Sequence, residues 1–488
     1  MQPDVGIHAY GAYVPRLRLD RAEVAAAHAW LNPGLRSLAQ SSRSVAGPDE
    51  DAVTMAAAAA RAALAAPGLA GVTALVLATT TAPFAVRSNA GIVATAAGLG
   101  ESTSVADCTG STRAGTTALL QSLAGAGQGI TGVCVASDKR TARAAGPSEL
   151  TTGHGAAAMV VGPGSGIARL LGSGTVTVDF LDRYRATDQE YDYGWEERWV
   201  RDEGYLKIAP RAIADALTEA GLEAADIDHF CLHASSARTT KAVAAQVGIK
   251  PDAVADDLGA GCGDTGAAHP LLMLAAALEN AQPGQRVLVV GFGQGADALV
   301  FEVTEAIGAQ HRNGSGSLRA RLAGGVGCTY PRYLVLSGML DVEWGIRAEA
   351  DKATALTAHY RHRDLVLQLA GGRCESCGTH QIPRTRMCAN TDCRAVDTQA
   401  WHSFADSTAT IVTWSADNLT VSPDPPAYYG LVDFAEGGRM MMDFTDVDRG
   451  IEVGTAMRMV FRVKDRDVAR GFTRYYWKAA PTGAWETD

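Results

Sequence analysis

The run CESCGTHQIPRTRMCANTDC, residues 374–393, restricts the local fold more tightly than any other stretch of this chain. Cys374 and Cys377 form a C-x2-C pair with Gly378 directly behind it, and Cys388 and Cys393 form a second pair opened to C-x4-C. Two short thiolate pairs can close a tetrahedron around one zinc ion, because such loops turn backbone N–H groups toward the sulfurs. Gly378 permits the tight turn this needs. With four sulfurs on the metal no position is left for water or substrate, so the spacing predicts a structural zinc rather than a catalytic one. Arg373, Arg384, Arg386 and Arg394 surround the cluster, but aromatic residues hardly interleave with them, which argues against a nucleic-acid role.

The other five cysteines, Cys108, Cys134, Cys231, Cys262 and Cys328, are scattered, and an odd, dispersed set does not make a disulfide framework. The first residues hold no apolar core of signal-peptide length. The Ala-rich run Ala56–Ala66 is short and broken by Arg61, and no charge-free apolar stretch of about 18 residues reads as a membrane span. These features predict a cytoplasmic protein. A net charge of -10 leaves no broad basic face for nucleic acid.

A length of 488 residues accommodates two to four domains. Short apolar runs bounded by turn residues predict strands at Val72–Thr79, Gly132–Ser137, Ala156–Val161, Phe230–Leu232, Arg286–Gly291 and Leu299–Val303. Gly91–Leu99, Ile208–Ala220 and Lys241–Val247 have helical patterns between them. Such alternation predicts an α/β architecture with covered sheets, and a weak two-fold echo runs through it. After about Val303 the composition changes: Thr304–Gly327 reads as a linker and Asp341–Ala370 as a charged helical stretch. Beyond the cysteines, Ala409–Trp414, Tyr428–Phe434, Met440–Phe444 and Met457–Arg462 alternate in the β manner and predict a small barrel. The expected divisions are 1–165, 166–305, a connector over 306–370, the metal module over 371–396 and the barrel over 397–488.

Three segments carry chemistry. In VADCTGSTRAGTTA, Cys108 follows a strand and precedes small residues that read as a helix, where free N–H groups and the helix dipole favour a thiolate. A thiolate is both nucleophile and leaving group, as transfer of a thioester acyl group requires; the alternative is a packed core cysteine. In IDHFCLHASSAR, His233 follows a strand and opens a polar turn, placed to move a proton or polarise a carbonyl, or else simply a loop histidine. In GAGCGDTGAAHPLL, Asp264 stands in a Gly-rich loop ahead of a helix, either at a developing oxyanion or as the helix N-cap. Cys262 and His269 beside it read as structural.

Together, and in this order, these segments resemble the thiolase superfamily, in the branch of HMG-CoA synthase and ketoacyl-ACP synthase III, over roughly residues 4–303. VGIHAYGAYVPRLRLD resembles the branch's first hairpin, and ATTTAPFAVRSNAGIVATAAGLG its following strand and helix. The resemblance implies a duplicated, layered αβαβα fold, an acyltransferase of the EC 2.3 class and an acyl-accepting Cys108. His233 and Arg238, in HASSAR, fall on the family's histidine motif. Asp264, in GDTGAA, falls where the family usually has Asn. Gly293 lies in GFGQGADALVFEV, which resembles the C-terminal Gly-rich loop, and Lys207 matches a CoA-contacting lysine. The C-terminal part resembles the rubredoxin-like zinc ribbon plus OB-fold proteins that partner thiolase-like enzymes as separate subunits, here fused.

The resemblance and the three segments together imply a CoA-dependent enzyme that makes or breaks a C–C bond beside a thioester through an acyl-Cys108 intermediate. Its expected substrates are acetyl-CoA or acetoacetyl-CoA, or an acyl carrier, and it is expected to work as a homodimer or larger assembly, with neither nucleic acid nor membrane as partner. Two other functions remain open: C-acyl transfer to a phenolic acceptor, and a non-catalytic scaffold or acyl-channelling partner. Two departures bear on the reaction. ATTTAP lacks the glutamate that HMG-CoA synthases carry there. Asp264, if ionised, opposes an oxyanion; protonated, it would not, and it can instead orient His233 or water.

Overall fold

Short Val, Leu and Ala runs between turn residues do become strands in a computed structural model of the chain, which describes residues 4–69, 71–308, 317–346, 355–448 and 450–485. The chain forms two units, Met1–Gly47 with Asp51–Met339, and Pro48–Glu50 with Leu340–Asp488.

The first unit is built on nine strands: β1 (Val5–Tyr13), β2 (Val72–Ala78), β3 (Ser104–Cys108), β4 (Thr131–Lys139), β5 (His154–Pro163), β6 (Ala168–Thr177), β7 (His229–Leu232), β8 (Arg286–Phe292) and β9 (Gly295–Val303). Their order is β7-β8-β9-β6-β1-β5-β4-β2-β3. The two-fold echo is real in the topology. From β1 outward the pairings run antiparallel, antiparallel, parallel, and from β6 outward they run the same way. The halves join where Gly6 and Ile7 of β1 pair with β6.

Strand alternation distributes the apolar side chains between layers. Val287 and Val289 of β8, with Leu299 and Phe301 of β9, enter a central core; Leu288, Val290 and Val300 enter an outer one. Helices α1 (Ala52–Leu64), α2 (Ala114–Ala126), α3 (Leu206–Ala220), α4 (Ala237–Val247) and α5 (His269–Asn280) supply the other layers. The α2 and α5 helices fill the space between the half-sheets, α1 covers the first half and α3 and α4 the second, giving the thiolase-like αβαβα arrangement.

The abundance of Gly and Ala follows from this packing. A Cβ on Gly11 of β1 would lie 2.4 Å from Ala59 O of α1, and one on Gly174 of β6 would lie 2.1 Å from Ala212 O of α3. In each half, an alanine-bearing helix rests on a strand at a glycine. The α1 helix, considered in the sequence only as a failed membrane span, is thus a principal layer, capped by reciprocal bonds between Asp51 and Thr54.

In the second unit, Ala370–Cys374 (β10) lies between His380–Gln381 (β11) and Gln399–Ser403 (β12). Five strands follow: β13 (Thr408–Asp417), β14 (Ala427–Phe434), β15 (Arg439–Asp443), β16 (Ala456–Asp467) and β17 (Phe472–Pro481), ordered β15-β14-β13-β16-β17. A bridge between Phe444 and Ala479 nearly closes them into an OB-type barrel around Ile411, Val432, Phe461 and Trp477. Of the Asp341–Ala370 stretch expected to be helical, only Leu356–Arg361 and Arg363–Gln368 are helices among the described residues. The connector segments 309–316 and 347–354 lie outside those residues. Among the described residues no helix is long and apolar enough to cross a membrane.

Candidate active site

Cys108 ends β3, half-buried against the central core, with its backbone O accepting from Thr79 N at 3.0 Å. The helix begins only at Ala114, and the Cys108 Sγ lies 3.7 Å from Ala114 O rather than on free N–H groups. Burial, and then the nearby Asp297 carboxylate, push the thiol above its ordinary value. The expectation of a dipole-stabilised thiolate is therefore corrected: the resting group is a protonated thiol. Gly293 closes over the same loop. A Cβ there would lie 2.6 Å from Thr112 Oγ1 and 3.1 Å from Arg113 N.

His233 follows β7 and stacks on His269, with ring centroids 3.8 Å apart. Its Nε2 lies 3.7 Å from Asp264 Oδ1, and its buried Nδ1 has no hydrogen-bond partner among the described residues. Burial and then His269 hold the ring well below an ordinary histidine, so it is neutral at physiological pH. His269 itself is pinned: Nδ1 accepts from Thr265 N at 3.1 Å and Nε2 donates to Asp257 O at 2.7 Å. Read from the sequence as structural, it packs against the His233 ring.

Asp264 Oδ1 accepts from Gly266 N at 2.9 Å. Its Oδ2 accepts from Arg140 Nη1 at 2.8 Å and Arg183 Nη1 at 3.3 Å. Burial alone would raise this carboxyl, but the Arg140 guanidinium, and with it that of Arg183, outweighs burial and holds it well below its usual range. Of the states open from sequence, the ionised one is realised.

A second carboxylate, which sequence reasoning missed, ties these pieces together. Asp138, at the end of β4 and fully buried, accepts from the hydroxyls of Thr79, Thr80 and Thr81 at 2.9–3.0 Å. It also accepts from Thr80 N at 2.7 Å and Ala267 N at 2.8 Å. The threonines of ATTTAP thus clamp Asp138 where a glutamate was sought, and join the Cys108 strand to the Asp264 loop. Arg140 also holds Asp192 at 3.0 Å, and Arg185 bonds Asp192 at 2.7 Å and the Thr80 carbonyl. The signals were present: DKR ends an apolar strand, and the i, i+2 spacing in DRYR puts Arg183 and Arg185 on one face. Tyr205, stacked on Phe292 at 4.0 Å, feels the charges of Arg183, Asp182 and Asp264.

The structure sets Gly293 against Thr112 and Arg113 in the loop that follows Cys108, and brings His233, Asp264 and His269 to one cluster. It leaves Lys207 and Arg238 on the surface, Lys207 paired with Glu203 at 2.6 Å.

Among the described residues, two clusters have the ligand types of metal sites. The sulfurs of Cys374, Cys377, Cys388 and Cys393 all lie within 4.8 Å of one another, with pairs at 3.6 and 3.9 Å. Tetrahedral metal–sulfur bonds of about 2.3 Å put sulfurs about 3.8 Å apart, so these four can hold a metal. His233, Asp264 and His269 cannot do so equally well, because both His269 nitrogens are engaged and two guanidiniums occupy Asp264 Oδ2.

Comparison with known proteins agrees with this geometry. Hydroxymethylglutaryl-CoA synthase of Methanopyrus kandleri is 33% identical over 313 residues, spanning 62% of this chain and 89% of that protein. This chain belongs to the hydroxymethylglutaryl-CoA synthase family. Residues 217–302 also match the model of the 3-oxoacyl-[acyl-carrier-protein] synthase III C-terminal domain. Residues 401–462 match that of the ChsH2 C-terminal OB-fold domain. A solved structure of MvaS in complex with 3-hydroxy-3-methylglutaryl coenzyme A shares the fold at a TM-score of 0.59 and 22% identity, covering 72% of this chain and 95% of the other. The curacin-pathway HMG synthase in complex with acetyl donor-ACP also does so, at 0.59 and 17%, covering 68% and 88%. This member of the hydroxymethylglutaryl-CoA synthase family is an acyltransferase of the thiolase type that adds an OB-fold domain and a cysteine cluster.

Proposed function

We propose that this protein catalyses a C–C bond-making or bond-breaking acyl transfer beside a CoA thioester, through an acyl-Cys108 intermediate. The observation that carries this is the Asp138 clamp, which fixes the Cys108 strand and the Asp264 loop to one buried carboxylate. In the first half-reaction the Cys108 thiol loses its proton, its sulfur attacks the thioester carbonyl, and CoA leaves as its thiol. A neutral His233 can then give or take a proton at the second carbonyl without first being discharged. Acetyl-CoA and acetoacetyl-CoA are the substrates of choice, with a carrier-bound acyl group as the other donor form, and Lys207 and Arg238 serve the CoA end.

The four cysteines suit structural zinc, which would hold the ribbon's two knuckles together and take no part in the transfer. Strand β3 forms one edge of the sheet with Ser104–Asp107 exposed, which supports pairing with a second copy of the chain across that edge.

The test is mass spectrometry of the protein quenched after mixing with acetyl-CoA. An acetyl adduct on the Cys108 peptide, absent in Cys108→Ala together with turnover, is expected. No adduct on the wild type, or turnover that survives Cys108→Ala, overturns the mechanism.

A further inference from the structure

A carbonyl oxygen that gains negative charge needs donors fixed around it before the charge develops. His233 is neutral and carries one N–H, so it supplies one such donor at most. Asp264, beside it, supplies none: it is ionised, Oδ1 is taken by Gly266 N, and Oδ2 by two guanidiniums. Left alone, a carboxylate 3.7 Å from the His233 ring would repel an oxyanion bound there. The missing donor must therefore be cationic and must have N–H groups to spare.

Three arginines surround Asp264, and they differ in what they have left. Arg140 is 6% exposed and its Nε, Nη1 and Nη2 are all committed, to Asp192 and Asp264. Arg185 spends Nη1 on Asp192 and Nη2 on the Thr80 carbonyl. Arg183 is 32% exposed. Among the described residues its side chain makes one hydrogen bond, from Nη1 to Asp264 at 3.3 Å, while its Nε sits in a looser 3.7 Å charge contact with Asp182. Its Nη2 is therefore left beside the His233–Asp264 pair with two N–H groups uncommitted to any described residue.

We propose that Arg183, seated on Asp264 next to His233, is a second catalytic residue that donates from Nη2 to the carbonyl oxygen of the thioester or ketone substrate in the C–C step. Asp264 then acts as a positioning residue: its charge holds the guanidinium in place, and the guanidinium cancels the repulsion the carboxylate would exert. This rests on the proposed acyl-Cys108 chemistry but concerns only its second half, so the two fail separately.

The experiment uses the full chain, wild type, Arg183→Met and Arg183→Lys, with acetyl-CoA as acyl donor. Acetylation of Cys108 is followed by mass spectrometry, and the C–C step by loss of acetoacetyl-CoA absorbance. Binding of acetoacetyl-CoA to the acetylated protein is measured by calorimetry. Arg183→Met is expected to acetylate Cys108 at a near-normal rate, to lose roughly 10²–10³-fold in kcat of the C–C step and to bind acetoacetyl-CoA more weakly. Arg183→Lys, which keeps the charge but not the forked geometry, is expected to fall between. A normal C–C step in Arg183→Met overturns the proposal. So does a parallel loss of acetylation and turnover in both variants, which marks Arg183 as structural only. Absence of acetyl-Cys108 in the wild type instead overturns the underlying mechanism.

Discussion

Arg140 Nη1 lies 2.8 Å from Asp264 Oδ2, and this pair fixes the ionised state of the carboxylate beside His233. The carboxyl titrates lower in the folded chain than the value of about 3.9 it has when unfolded. Its contribution to stability is therefore fully present above about pH 5 and is lost as the pH falls through 4 toward the folded value. Asp264→Ala would leave Arg140 buried with Asp192 alone and is expected to cost roughly 3 kcal/mol in urea unfolding at pH 7. Asp264→Asn, with no charge to lose, should flatten the acid limb of the stability–pH curve. An unchanged acid limb in that variant would show that the pair is not ionised as described.

Asp138 faces three hydroxyls and two backbone N–H groups, so every one of these neighbours is a donor. Asp138→Asn presents amide hydrogens to some of those donors and should destabilise the fold by about 2–3 kcal/mol, although the side chains are nearly isosteric. It should also slow acetylation of Cys108, because Thr79 N holds the Cys108 carbonyl. A normal acetylation rate in the folded variant would separate the clamp from the nucleophile.

Much of this was legible in the chain. The strands around 72–79, 132–137, 156–161 and 286–291 showed themselves through apolar runs, and the metal cluster through spacing. Cys108, His233 and Asp264 could be named because each stands at a strand end or in a Gly-rich loop, in a distinctive small-residue setting. Asp138, Arg140 and Arg183 could not be ranked, because their importance comes from partners 52 to 129 residues distant in the chain, brought together only by the fold. The α1 helix was missed for a related reason: alanine carries little periodic signal, and its close packing depends on Gly11 in a strand that lies earlier in the chain.

The Cys108 thiol, raised by burial and then by Asp297, should react slowly at neutral pH and accelerate only above the range of an ordinary cysteine. Peptide-resolved alkylation with iodoacetamide across about pH 6–10, a range that brackets the ordinary value of about 8.5, reads this directly. The fully buried Cys134, Cys231 and Cys262 should remain unmodified while the fold is intact. A Cys108 rate already at its plateau at pH 7 would mean a resting thiolate and contradict the assignment.

If the four clustered sulfurs hold zinc, the purified protein should carry one zinc per chain, and Cys388→Ser should lower that content. The buried Cys374 and Cys388 should then become alkylatable after treatment with a strong chelator. Because the metal is placed outside the transfer chemistry, acetylation of Cys108 should survive chelation. Loss of Cys108 acetylation on metal removal, with restoration by zinc, would give the cluster a direct part in the reaction.

The second unit takes three residues, Pro48–Glu50, from the N-terminal part of the chain, and their charges reach a buried cation. Arg462 of β16 is 1% exposed and meets Glu50 at 3.3 Å, Asp446 at 3.2 Å and Asp49 at 3.7 Å, while Lys478 of β17 bonds Asp49 at 2.9 Å. Burial would raise the Asp49 carboxyl, but Lys478 and Arg462 more than offset it and hold it low. Removing that carboxylate leaves a buried guanidinium and ammonium short of a counter-charge, which costs about 3–5 kcal/mol. Asp49→Ala in the full chain should therefore lower the melting of the barrel unit, read by the fluorescence of the buried Trp477, before it affects Cys108 acetylation. A fragment beginning at residue 340 lacks the same counter-charges and should melt lower than the barrel does within the whole protein. Equal melting of fragment and parent would show that the Asp49–Lys478 and Asp49–Arg462 pairs contribute nothing net, as buried pairs that barely offset their own desolvation do.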